Sequence, residues 1–196
     1  KIYGSKLETI YDKSVESLPT TYGAQIKNGF LFGSNENTVI QEYGNKFEID
    51  WVRGQKTGFF IDQRENRKLL AHYSKGKKVL NTFCYTGGFS VYASLAGASL
   101  VHSVDSSKTA IELTKKNIEL NGITNHEAFA VDTFDFFKTS DTDYDVIVLD
   151  PPAFAKSRKV THNAVIGYKR LNAEAFKRMK SGGIVFTFSC SQVIDK

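Results

Sequence analysis

Five short apolar runs, at residues 77–83, 99–105, 127–132, 144–150 and 183–189, recur with stretches of helical periodicity between them, and this alternation constrains the fold more than any other feature. The runs are rich in Val, Ile and Phe and hold no proline, as strands buried on both faces require. Helices are expected over residues 87–95 and 107–120, the second with Ser106 as its cap and Asn121-Gly122 as its stop. A third is expected before the last run, where Tyr168, Leu171, Ala175 and Met179 stand at helical spacing ahead of Gly182-Gly183. Strands and helices alternating in this way need right-handed crossovers and a parallel sheet covered on both sides, so the expected class is a doubly wound α/β fold. Upstream, residues 30–52 alternate polar and apolar around Gly33 and Gly44-Asn45, which reads as β-hairpins. The organisation expected is a small α+β, hairpin-rich domain over residues 1–52 followed by the α/β domain over 53–196. A chain of 196 residues, 41% hydrophobic, has room for one such core and a small attached piece.

The two cysteines, Cys84 and Cys190, argue against a disulfide scaffold, and no zinc-ligand spacing surrounds them; a reducing, cytoplasmic setting is expected. No stretch reaches 18 uncharged apolar residues and no secretory leader opens the chain, so no membrane partner is expected. The net charge of +5 is unevenly spread. Residues 1–52 carry −2, 53–78 carry +6, 79–150 carry −6 and 151–196 carry +7, counting Lys and Arg against Asp and Glu. Two basic blocks around an acidic centre fit a polyanion-binding rim around a small-ligand site; solvated helix faces are the competing reading.

In a doubly wound sheet, ligands collect at the carboxyl ends of the strands, near the point where strand order reverses. Thr86-Gly87-Gly88 follows the first strand and opens a helix, where free N–H groups suit a nucleotide-like ligand, although without a full GxGxxG it equally suits a bare helix start. Asp105 ends the second strand, where a carboxylate accepts the hydroxyls of a ribose in both NAD and S-adenosylmethionine (SAM) enzymes. Asp132 ends the third and either caps a helix or meets an adenine. Asp150 is followed by Pro151 and Pro152, which lack N–H groups and stiffen the turn; this fits presentation of an acid to a planar base. Cys190 ends the fifth strand beside that acid and is a candidate nucleophile, against the alternative of an inert thiol. Cys84, in the turn after the first strand, reads as a packing residue.

Four segments together resemble the class I SAM-dependent methyltransferases that make 5-methylcytosine in large-subunit (23S) rRNA. They are Gly54-Gln55-Lys56-Thr57-Gly58-Phe59-Phe60-Ile61-Asp62-Gln63-Arg64, Asn81-Thr82-Phe83-Cys84-Tyr85-Thr86-Gly87-Gly88-Phe89-Ser90, Asp150-Pro151-Pro152 and Thr187-Phe188-Ser189-Cys190-Ser191. The resemblance implies a Rossmann-like domain from about residue 53 after a β-rich RNA-binding accessory domain. It implies SAM contacts from Phe60, Gln63, Thr82, Phe83, Cys84, Tyr85, Thr86, Gly87, Gly88, Asp105, Ser106, Asp132 and Asp150, with Cys190 as nucleophile and Asp150 as its catalytic partner. Family members usually carry an N-terminal PUA domain and continue past the fifth strand, so the chain is expected to be a piece lacking both ends. Asn81 departs from the family, since many relatives have Asp there.

The implied reaction is covalent: Cys190 adds to C6 of cytosine, Asp150 holds the N3/N4 edge, and C5 takes the methyl group. Lys156, Arg158, Lys159, Lys169 and Arg170 are the candidate RNA contacts. The partner expected is therefore RNA, with a homodimer left open. Uracil C5 methyltransferases are one rival, but they show Arg after the prolines and Asn-Pro after the cysteine, where this chain has Ala153 and Ser191-Gln192. Amino-group methyltransferases are another; they place an aromatic directly after Pro-Pro, whereas here Ala153 precedes Phe154. A nucleotide-dependent oxidoreductase and a non-catalytic RNA-binding module complete the alternatives.

Overall fold

The structure, a computed structural model, describes residues 7–23, 26–36, 38–154 and 161–190. The chain divides into two compact units, residues 1–40 with 48–60 and residues 41–47 with 61–196. In the first unit β1 (Ile10–Asp12) pairs antiparallel with β2 (Gly29–Phe32), and the short helix α1 (Thr20–Gly23) lies between them in sequence. Tyr11, Phe30 and Trp51 meet edge to face, with ring centroids 4.9–6.1 Å apart. Lys13 Nζ donates to the carbonyls of Trp51 and Gly54, fastening the end of this unit to its start.

Strands β3 (Thr38–Glu42) and β4 (Asn45–Ile49) form a hairpin whose tip, residues 41–47, belongs to the second unit. Its two-residue turn has left-handed Tyr43 (φ 50°) and Gly44 (φ 85°), the backbone of a type I′ turn. Behind that tip, Arg67 donates to both carboxylate oxygens of Glu42 at 2.8 Å, and Tyr92 Oη donates to Glu42 Oε1 at 2.9 Å. All three residues are buried.

The second unit holds the parallel sheet: β5 (Lys78–Thr82), β6 (Leu100–Asp105), β7 (His126–Ala130), β8 (Tyr144–Leu149) and β9 (Met179–Thr187). Their order is β7-β6-β5-β8-β9, every pair parallel, which is the Rossmann-like doubly wound arrangement. The chain winds outward from β5 to β7, then returns across the sheet to β8, so strand order reverses between β5 and β8. Helices α2 (Arg64–Ser74), α3 (Gly88–Leu95), α4 (Lys108–Leu120), α5 (Thr133–Thr139) and α6 (Thr161–Lys177) complete the unit. Alternation along β8 divides the core. Ile147 and Leu149 join Phe136, Phe137 and Leu171 beneath α5 and α6, whereas Val146 and Val148 join Leu70, Phe89 and Ala93 beneath α2 and α3.

A row of polar side chains crosses this core. Asn81 Nδ2 donates to Ser90 Oγ at 2.8 Å; Ser90 Oγ lies 2.6 Å from Ser103 Oγ, which lies 2.7 Å from His126 Nε2. Burial pushes the His126 imidazole down to about 4. Asn81 is fully enclosed, so the position that carries Asp in many relatives is a packed one here.

Four expectations change. Residues 29–32 pair with β1 rather than with the following strand. The cap of α4 is Ser107, whose Oγ accepts the Ala110 N–H at 3.2 Å; Ser106 takes the corner by which the chain leaves β6. Met179 begins β9 because α6 closes at Lys177. Gly182 and Gly183 lie inside β9, where Tyr144↔Met179 gives way to Val146↔Ile184 and the surplus residues bulge out. Helices α2 and α5 and strand β1 were not anticipated by the periodicity.

Candidate active site

The turn after β5 is built from an unusual backbone. Phe83 (φ 54°), Tyr85 (φ 48°) and Gly87 (φ 75°) are all left-handed, two of them at residues with a Cβ, a conformation that costs on the order of 1 kcal/mol per residue. Neighbouring strands and helices hold it. Cys84 N–H donates to the Val104 carbonyl at 3.1 Å, Thr82 Oγ1 to the Val148 carbonyl at 2.8 Å, Thr114 Oγ1 to the Tyr85 carbonyl and Asn117 Nδ2 to the Thr86 carbonyl, both at 2.9 Å. Gly87 caps α3, and a Cβ there would lie 2.7 Å from Thr114 Cγ2. With the Tyr85 and Thr86 carbonyls bound by α4, a ligand meets the opening N–H groups of α3.

Asp105 closes β6 and is fixed by this turn: Oδ2 accepts the Tyr85 N–H at 3.0 Å and Oδ1 the Ser107 N–H at 2.9 Å. Each oxygen keeps a lone pair for a ribose hydroxyl. Next to the reversal point, Asp150 follows β8. Its Oδ2 accepts from Gln63 Nε2 at 3.3 Å, and Gln63 Oε1 accepts from Asn66 Nδ2 at 2.6 Å. Burial, and then the charge of Asp62, push the Asp150 carboxyl up to about 6, against the pull of Arg67. β9 lies beside β8 with Leu149 opposite Thr187, so Asp150 and Phe188 leave the sheet on adjacent strands, and Cys190 comes two residues further on. Cys190 is exposed. Cys84 is buried, with its thiol pushed up to about 12 chiefly by burial, as a packing residue should be.

These features fit a bound SAM. A left-handed turn opens a helix, and an acid oriented by that turn stands at the neighbouring strand end, as a methionine tail and a ribose need.

The chain matches the family described as S-adenosylmethionine-dependent methyltransferase over residues 20–193. It belongs to that family. It is 40% identical over 196 residues to "Ribosomal RNA large subunit methyltransferase I" of Aeromonas hydrophila, aligning 96% of this chain with 49% of that protein. The protein of that name from Shewanella denitrificans is 42% identical over 193 residues, again with 95% of this chain and 49% of the relative. The chain thus spans about half the length of the curated relatives it matches. Among solved structures, the methyltransferase SMU.776 complexed with SAH superposes with a TM-score of 0.72 at 32% identity, covering 82% of this chain and 44% of that one. A SAM-dependent methyltransferase of Agrobacterium tumefaciens shares the fold, with a TM-score of 0.72 at 22% identity over 96% of this chain and 61% of that one.

Within this methyltransferase fold the anticipated residues separate. Thr82, Phe83, Cys84, Tyr85, Thr86, Gly87, Gly88 and Asp105 come together at the first two strand ends, and Gln63 meets Asp150 across the reversal point. Asp132 caps α5, its Oδ1 accepting from Phe134 and Asp135 N–H at 2.8 and 3.3 Å. Phe60 belongs to the first unit, with the Lys56 ammonium 5.2 Å from its ring centroid. Lys156, Arg158, Lys159, Ser191 and Gln192 lie outside the described residues. Lys169 and Arg170 are exposed on α6, where the Arg170 guanidinium sits 4.7 Å from the Phe134 ring centroid.

Sequence reasoning missed Thr114, Asn117 and Asn66. The first two are polar residues on the inner face of an otherwise amphipathic helix, and that mismatch was their signal. Among the described residues no cluster of three metal-ligating side chains occurs, and no helix is long and apolar enough to cross a membrane.

Proposed function

We propose that this protein methylates C5 of a cytosine in 23S rRNA, with Cys190 as nucleophile and Asp150 as the acid that holds the base. The observation carrying this reading is the juxtaposition at β8 and β9: a half-buried carboxyl with raised proton affinity leaves one strand, and an exposed thiol leaves its neighbour. Cytosine C5 is a weak nucleophile in an electron-poor ring. Addition of the Cys190 thiolate to C6 breaks the C5–C6 double bond, while Asp150 hydrogen-bonds the N3/N4 edge as that edge gains electron density. The SAM sulfonium supplies the methyl group. As the bond to C5 forms the S–CH3 bond breaks and leaves the thioether; the C5 proton then passes to a solvent water, the C5–C6 double bond re-forms and the C6–S bond breaks to release the thiolate.

A second observation supports this reading over amino-group methylation, which needs an aromatic free to stack on the target base. Phe154 is committed elsewhere: its ring lies 4.6 Å from that of Tyr168, and a Cβ on Gly167 would stand 3.1 Å from it. The names of the rRNA methyltransferases that resemble the chain support an RNA substrate, and with it a cytoplasmic place of action. The basic stretch over residues 151–196 then lies along the phosphates and residues 1–52 add RNA contacts.

Cys190→Ala is expected to abolish methyl transfer to 23S rRNA while SAM affinity, measured by calorimetry, stays within about twofold. Mass mapping of rRNA from cells lacking the protein should lose one 5-methylcytosine. Full activity of Cys190→Ser would exclude covalent catalysis, and loss of a 5-methyluridine instead would move the reaction to uracil.

A further inference from the structure

Asn66 lies in the first turn of α2, three residues after Gln63. Its Nδ2 donates to Gln63 Oε1 at 2.6 Å, and Gln63 Nε2 donates to Asp150 Oδ2 at 3.3 Å. The polarity of this chain runs one way. A carboxamide whose oxygen is taken by a donor can offer only its NH2 group at the other end, and NH2 is the end that an ionised carboxylate accepts. Turned by 180°, Gln63 would aim its carbonyl at Asp150, an arrangement that needs the acid protonated. Gln63 has three rotatable side-chain bonds and is half-buried, and its two amide ends meet Asn66 and Asp150.

We infer that Asn66 is a positioning residue for Asp150: by occupying Gln63 Oε1 it fixes the amide so that Nε2 engages Asp150 Oδ2, which leaves Oδ1 for the target base. The inference rests on the proposed role of Asp150, and it adds a residue that reaches Asp150 through Gln63. Orientation of a catalytic carboxylate by an oriented amide follows the logic by which a third group orients the base in nucleophilic catalysis. The charged groups acting on Asp150 are Asp62, from the turn before α2, and Arg67, from α2 itself. Asn66 is neutral, so replacing it by an apolar residue changes the hydrogen-bond chain without altering that field.

The test is a titration of the Asp150 carboxyl carbon by isotope-edited NMR in the protein without RNA, assigned with Asp150→Asn. Asn66→Leu should move the midpoint upward by about half to one pH unit, because the ionised carboxyl loses a fixed donor. Asn66→Ala, which favours the helix, should do the same, and Asn66→Gln should restore most of the original midpoint. In the methylation assay Asn66→Leu should lower kcat about tenfold with the KM for SAM within about twofold, and the inflection due to Asp150 in the kcat profile should move with the NMR midpoint. An unchanged midpoint in both Asn66→Leu and Asn66→Ala overturns the inference, as does a loss of kcat without any shift of the inflection. If the wild-type protein methylates no cytosine, the proposed function fails while the NMR result still decides the role of Asn66.

Discussion

Asp150 carries its charge at a cost to the fold. Its carboxyl is raised to about 6 by burial and by Asp62, so folding favours the protonated form. The stability from this group is complete below the unfolded value near 4 and is lost as pH rises through about 6. Asp150→Asn should therefore stabilise the protein by about 2 kcal/mol at pH 8 and by nothing measurable at pH 4, a contrast that urea denaturation at the two pH values checks. His126 has the opposite sign. Its imidazole is lowered to about 4, so its contribution is present above the ordinary histidine range and disappears as pH falls through about 4. The two cysteines differ as sharply in reactivity. Exposed Cys190 should react with a maleimide or iodoacetamide in the native protein, whereas buried Cys84 should react only in denaturant; mass spectrometry should count one adduct and then two. Native modification of Cys84 would contradict its enclosed position.

At the scale of single elements, the turn between β5 and α3 concentrates the strain. Gly87→Ala must place a Cβ 2.7 Å from Thr114 Cγ2 at a left-handed φ of 75°. A loss of about 2 kcal/mol in stability and at least tenfold in SAM affinity is expected, measured by thermal melting and calorimetry. Much of the element plan was legible. The five parallel strands were announced by Val, Ile and Phe runs, and α4 by its Asn121-Gly122 stop. Strand β1 was not, because three residues, Ile10–Asp12, are too few to show a period. Helix α2 hid because its buried face carries Arg67 and Ser74 beside Leu70, and buried polar residues read as surface in sequence. Helix α5 was signalled by Asp132 as a possible cap but not by its period, because Phe134, Phe136 and Phe137 give no single apolar stripe over seven residues. The site divided the same way. Asp105, Asp132 and Asp150 announced themselves as acids at strand ends, and of the two uses open to Asp132 the structure shows the capping of α5.

On the scale of the whole sheet-bearing unit, a buried ion pair holds the hairpin tip, residues 41–47, within that unit. Arg67 and Glu42 are 3% and 9% exposed, so removing one partner strands the other charge in the interior. Glu42→Leu should cost about 3–5 kcal/mol, and Glu42→Leu with Arg67→Met should recover much of it; chemical denaturation of the two variants separates charge burial from lost packing. The sheet also contains a row of polar side chains that crosses from β5 to its edge strand. At neutral pH His126 is uncharged; Asn81 Nδ2 donates to Ser90 Oγ, and the hydroxyls of Ser90 and Ser103 carry the row on to His126 Nε2. Protonating the imidazole makes both ring nitrogens donors, so Ser103 Oγ must then accept from Nε2. The row thus ties the edge strand β7, by side-chain hydrogen bonds alone, to Asn81 on β5, two residues before the turn after β5 begins.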